Sequence, residues 1–135
     1  MLGTAVLAAG LIVSPAAAAP AAADTDPSVF TRKRAMTAGD CRISPGATWT
    51  LDPDGTARLD AKVSSTSGDD AWLMWTYLLD EDGAVLGQIR VAGGSSTKFV
   101  KNLPNAYWTY RWRAKGQFDR DLFDLVGWIR LSRHC

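Results

Sequence analysis

Apolar and polar residues alternate along Thr56-Ala57-Arg58-Leu59-Asp60-Ala61-Lys62-Val63, so Ala57, Leu59, Ala61 and Val63 share one face and Thr56, Arg58, Asp60 and Lys62 the other. That period of two predicts a strand wet on one side and buried on the other. From Ala71 to Leu79 the run AWLMWTYLL is apolar on both faces, which predicts a central strand covered on each side. Its aromatic content and the Asp80-Glu81-Asp82-Gly83 turn behind it favour strand over buried helix. Ala84 to Val91 is expected to return as the second arm of a hairpin. Between Tyr107 and Lys115 the alternation places Trp108, Tyr110, Trp112 and Ala114 inward, with Tyr107, Thr109, Arg111, Arg113 and Lys115 outward. Only Asp119 to Val126 departs from the pattern: Leu122, Phe123, Leu125 and Val126 recur with helical spacing behind Asp119 as an N-cap. One short helical turn is expected there, followed by a last strand from Trp128 to Arg133.

Turn signals punctuate these runs at Ser44-Pro45-Gly46, Asp52-Pro53-Asp54-Gly55, Ser67-Gly68-Asp69-Asp70, Gly93-Gly94-Ser95 and Pro104-Asn105. Such spacing predicts an all-β fold, a small antiparallel barrel or sandwich of about six to eight strands. Sequential hairpins favour the barrel. The expected organisation is a signal peptide over 1–23, a flexible N-terminal segment over 24–38 and a single β domain over 39–135.

The leader rests on Thr4 to Val13, TAVLAAGLIV, which has the length of a signal-peptide apolar core and is too short to span a bilayer as a helix. Small residues at Ala21-Ala22-Ala23 offer a cleavage site releasing Asp24, whereas Pro20 disfavours cleavage after Ala19. The first four residues carry no Lys or Arg, so a translation start further upstream is expected. Export to the extracellular space follows from this reading.

Cysteine usage agrees with an oxidising compartment. The chain of 135 residues has two cysteines, Cys41 and Cys135. An internal bridge between them would close a long loop, worth about 4 to 5 kcal/mol in the chain-entropy model, and would tie down a terminus that otherwise frays. The alternative is an intermolecular bridge through an exposed C-terminal thiol. A formal net charge of +1 selects neither nucleic acid nor a membrane surface as partner. The expected state is a monomer.

Candidate chemistry is sparse. Six tryptophans are many for so short a chain; burying each stabilises a core by about 2 to 3 kcal/mol. Strand phase assigns Trp72 or Trp75, Trp108 and Trp112 to that core. Trp128 is the exception, because Arg130 and Ser132 share its face while Ile129 and Leu131 take the other. It is the tryptophan expected to meet a ligand. The outward row Arg111, Arg113 and Lys115, beside Tyr107, could grip carboxylates, sulfates or an acidic protein, or could be a solvated face matched by Asp60 or Glu81. The triplet Arg32-Lys33-Arg34 could be a processing site or an anionic contact and is read first as solvated charge. Asp52-Pro53-Asp54-Gly55 and Asp80-Glu81-Asp82-Gly83 lack the later oxygen ligands of a calcium loop and are hairpin turns first. The only histidine, His134, sits beside Cys135 with no nucleophile motif to serve. Asp69, Asp70, Asp119, Asp121 and Asp124 could supply a carboxylate pair for hydrolysis, yet their places at turns and a helix start explain them locally. Neither a metal nor a cofactor is expected.

The succession Gly39-Asp40-Cys41, Ala47-Thr48-Trp49-Thr50-Leu51 with Asp54-Gly55, Asp70-Ala71-Trp72, Thr97-Lys98-Phe99-Val100-Lys101-Asn102-Leu103-Pro104, Tyr110-Arg111-Trp112 and His134-Cys135 resembles a family of small secreted actinomycete proteins classed as a domain of unknown function. The resemblance implies export and a terminal cysteine that belongs to the fold. It implies no activity, substrate or catalytic residue. The expected role is a binding or inhibitor-type module for an extracellular protein or a glycan; the alternative is a small secreted hydrolase with a carboxylate-based site.

Overall fold

The computed structural model describes residues 26–135; the expected leader, 1–23, lies outside them. Among the described residues eleven strands run in chain order as β1 (Ser28–Arg32), β2 (Met36–Ala38), β3 (Cys41–Ile43), β4 (Ala47–Leu51), β5 (Thr56–Ser65), β6 (Asp70–Leu79), β7 (Val85–Gln88), β8 (Arg90–Val91), β9 (Phe99–Leu103), β10 (Tyr110–Gln117) and β11 (Trp128–His134). A six-residue 3₁₀ helix, Arg120–Leu125, precedes β11.

The strands form two antiparallel sheets. The larger has the order β1-β4-β5-β10-β8, with β3 continuing along the β4 edge of β5 and β2 pairing with β3. The smaller has the order β9-β6-β11, with β7 beside β9 on the same edge of β6. Strand β5 alternates as its sequence predicts, with Ala57, Leu59, Ala61 and Val63 buried. They meet Trp49, Leu51 and Trp112 of the larger sheet and Trp72, Met74 and Leu78 of the smaller in one core.

Of the two architectures expected, barrel or sandwich, the two sheets form the sandwich and not the favoured barrel. Although β9 and β10 are joined by a short loop, they are not paired: β9 lies on β6 and β10 on β5. The chain also changes sheet at Ile89, fully buried between β7 on the smaller sheet and β8 on the larger. Neighbours in sequence are thus neighbours across the core, and a strand that switches sheets makes a corner. Gly116 fits that corner because a Cβ there would stand 2.5 Å from Ile89 Cγ2 and 2.9 Å from the Arg90 carbonyl oxygen. Of the segment 24–38 expected to be flexible, residues 28–32 and 36–38 are strands. Ser28–Arg32 pairs with Ala47–Leu51, and Met36 is buried in β2, so this stretch gains backbone partners and apolar contacts that its polar lead-in conceals.

Two attachments join β11 to the larger sheet beyond the core. Cys135 is bonded to Cys41 of β3, and the Arg133 guanidinium donates to the Thr37 carbonyl at 3.0 Å. At the start of the 3₁₀ helix the Asp119 carboxylate accepts from the Asp121 amide at 3.0 Å, the cap its sequence predicts.

Candidate functional site: the outer face of the smaller sheet

Strand β6 carries apolar residues in both phases, and the sandwich consumes only one. Trp72, Met74, Thr76 and Leu78 point into the core, while Leu73, Trp75, Tyr77 and Leu79 point outward and are half-buried. The expectation that both faces are covered is therefore corrected. Residues opposite one another in an antiparallel pair share a face. The register Trp128↔Leu79, Arg130↔Tyr77 and Ser132↔Trp75 places Trp128, Arg130 and Ser132 on this outer face. From the other edge of β6, Gln88 stands opposite Tyr77, Val100 opposite Leu73 and Asn102 opposite Ala71.

The result is a platform of three aromatic rings with polar groups between them. Trp75 to the Leu79–Trp128 pair spans about 13 Å along the strand. Trp128 is 61% exposed, yet its indole N–H donates to the Glu81 carbonyl at 3.3 Å, which fixes the ring at the edge of the platform. The Arg130 guanidinium lies 4.8 Å from the centre of the Tyr77 ring, a cation–π contact that orders both side chains. Such a face combines flat apolar rings with donors and acceptors at fixed positions.

The remaining predicted binding residues do not join it. Arg111, Arg113 and Lys115 are exposed on the outer face of the larger sheet, on the opposite side of the sandwich from Trp128. There Arg111 forms a two-pronged pair with Asp60, its Nε and Nη2 donating at 2.9 and 2.6 Å. The guanidinium holds the Asp60 carboxyl below the usual carboxylate range, and Asp60 in turn raises Arg111. Asp60 thus matches the basic row as expected, while Glu81 belongs to the turn after β6 and does not reach it. Tyr107 lies in the loop between β9 and β10, 77% exposed, with φ at +65° and its amide donating to the Ser65 carbonyl. Because β10 begins only at Tyr110, Trp108 also falls in that loop and is 61% exposed, which corrects its assignment to the core.

Of the carboxylates weighed for hydrolysis, Asp70 and Asp119 hold local hydrogen bonds, and Asp121 and Asp124 lie in the 3₁₀ helix. Asp70 accepts from the hydroxyls of Ser65 and Ser67, which keep it below the ordinary carboxylate range. Asp69 takes a φ of +49° in the β5–β6 turn, and Asp119 caps the 3₁₀ helix. Asp54 and Asp80 accept from the amides of their own turns, as hairpin turns do. The Asp70 carboxylate and the Cys41 and Cys135 sulfurs lie within 4.8 Å of one another, but both sulfurs are committed to the disulfide.

A concavity of about 540 Å³ runs between β1 and β11, the two strands that end their sheets on the same side of the sandwich. Its floor includes Trp49 and Met74 from the core, and its rim carries the basic triplet Arg32-Lys33-Arg34. The charge pattern alone does not reveal this placement, since pairing of β1 with β4 is what carries the triplet to the edge of the core.

The architecture defines a disulfide-clasped antiparallel β-sandwich with an aromatic outer face. The chain belongs to a family of unknown function, DUF6294, whose model matches residues 48–135. The match begins within β4, so Cys41 and strands β1 to β3 precede it. No curated protein and no solved structure matches the chain. Among the described residues no helix is long and apolar enough to cross a membrane.

Proposed function

We propose that the protein is exported and works outside the cell as a binding module that takes a glycan on the outer face of its smaller sheet. One observation carries this reading: Trp75, Tyr77 and Trp128 share the outer face of one sheet, the last ring fixed and well exposed. The apolar face of a sugar ring stacks on such rings, and its hydroxyls find partners in Arg130, Ser132, Gln88 and Asn102. A rigid sheet held by a disulfide orders these groups before the ligand arrives, which lowers the entropic cost of binding.

Co-sedimentation of the secreted protein with a panel of insoluble polysaccharides tests the proposal. Retention without release of soluble sugar is the expected result, with loss of retention in Trp75→Ala and Trp128→Ala and none in Trp108→Ala. Release of sugar that is abolished in Asp119→Asn or Asp121→Asn would instead establish the hydrolase reading.

A further inference from the structure

We infer that the cleft between β1 and β11 is a second recognition site, which accepts an extended acidic peptide from a partner protein by pairing it to an open sheet edge. The cleft shares Trp128 and Arg130 with the edge of the glycan platform, but the inference rests on the strand edges and the Arg32-Lys33-Arg34 rim and does not depend on that reading.

Three observations converge on the cleft. First, among the described residues β1 and β11 each end the order of their sheet, and each has one edge without a neighbouring strand. The cleft is lined by Val29 to Arg34 on one side and Gly127 to Leu131 on the other, and so follows these two strands along most of their length. Backbone N–H and C=O groups on such edges are ready to pair with an added strand.

Second, the charge of the lining has one sign. Arg32, Lys33, Arg34, Arg130 and Arg133 contribute to it and no Asp or Glu does. The ion pairs among the described residues are Arg58 with Asp52 and Arg111 with Asp60, so none of these five cations is neutralised by a carboxylate there. An occupant bearing carboxylates complements this rim, and a basic one is repelled.

Third, the floor is apolar, with Trp49, Leu59 and Met74 of the core lining the cleft beneath its charged rim. A strand with alternating apolar and acidic residues meets all three demands, because its side chains point alternately to the floor and to the rim while its backbone pairs with a strand edge. An acyl chain with a carboxylate head meets the floor and the rim and leaves the strand edges unpaired.

Binding of a fluorescent, end-capped peptide of alternating Glu and Val to the full chain, followed by polarisation, is the test. The expected result is saturable binding that weakens about tenfold in Arg32→Ala/Arg34→Ala and falls with added salt. The same peptide N-methylated on alternate residues is expected to lose about tenfold, because it loses its strand donors. Trp75→Ala, which removes a glycan-platform ring away from the cleft, is expected to bind the peptide like the wild type. Equal binding of an alternating Lys and Val peptide, undiminished binding of the N-methylated peptide, displacement by decanoate at the peptide's own affinity, or no binding at all would each overturn the inference.

Discussion

Cys135, directly after β11, is bonded to Cys41 in β3 across a sequence separation of 94, with their Cα atoms 6.0 Å apart. The bond joins the edge strand of the smaller sheet to the larger one, close to where Arg133 donates to Thr37. Closing so long a loop removes about 4 to 5 kcal/mol of entropy from the unfolded chain in the chain-entropy model. For a domain of this size that is a large share of the total stability. A Cys41→Ala/Cys135→Ala variant is therefore expected to melt more than 10 °C below the wild type. Thermal melts of both proteins, with and without reductant, measure this directly; reductant should lower the wild type alone.

The Asp70 carboxylate stands beside that disulfide. Thiol reductants attack as thiolates, so a negative neighbour slows them. Asp70→Asn is expected to shorten the half-time of reduction by dithiothreitol at pH 8, measured by alkylation and mass. An unchanged half-time would mean that the carboxylate has no influence on the bond.

Acid should weaken the fold through three carboxylates. Asp54 is held low by the Thr56 hydroxyl, Asp60 by the Arg111 guanidinium and Asp70 by the Ser65 and Ser67 hydroxyls. In each case the folded chain gives up its proton more readily than the unfolded one. Their stabilisation is thus complete where the unfolded carboxyls are ionised and is lost as pH falls through the depressed native values. Urea midpoints between pH 7 and pH 2 should be flat near neutrality and drop in the acid range, with a shallower drop in Asp60→Asn.

Trp112 and Trp108 occupy the same phase of one amphipathic run in the sequence, yet the first is buried and the second is 61% exposed. Trp112→Ala should cost about 3 to 5 kcal/mol, the range for emptying a packed aromatic site. Trp108→Ala should stay within about 0.5 kcal/mol of the wild type, as a surface change does. Denaturant titrations of the two variants separate them.

Gly116 supports the corner where the chain passes from β7 to β8. A methyl group there meets Ile89 and the Arg90 carbonyl well inside contact distance, so Gly116→Ala is expected to cost about 1 to 3 kcal/mol by overpacking. Gly83→Ala meets nothing within 4 Å but carries a φ of +89°. It therefore reports the backbone penalty without the clash, and equal losses in the two variants would contradict the packing explanation.

Much of the scaffold was legible because local pattern and tertiary role agree. The period of two in Thr56 to Val63 and the Asp119 cap are physical signals that need no distant partner. What was hidden depends on pairing. The same run that puts Trp112 in the core includes Trp108, and only the start of β10 at Tyr110 separates them. Similarly, AWLMWTYLL reads as covered on both faces, whereas two layers leave Trp75 and Tyr77 on the outside. Trp128 was recognisable as a surface ring because polar neighbours share its phase; its companions on β6 were not, because apolar residues filled both phases. The basic triplet gained a role only when pairing of β1 with β4 brought it to the edge of the core.

The glycan platform is tested most directly by intrinsic tryptophan fluorescence during titration with soluble oligosaccharides from a polysaccharide that retains the protein. The expected result is a saturable change whose dissociation constant rises about tenfold or more in Trp75→Ala and Trp128→Ala, with Trp108→Ala and Arg111→Ala like the wild type. Saturable binding that survives loss of Trp75, Tyr77 and Trp128 together, or that disappears in Trp108→Ala, would contradict it.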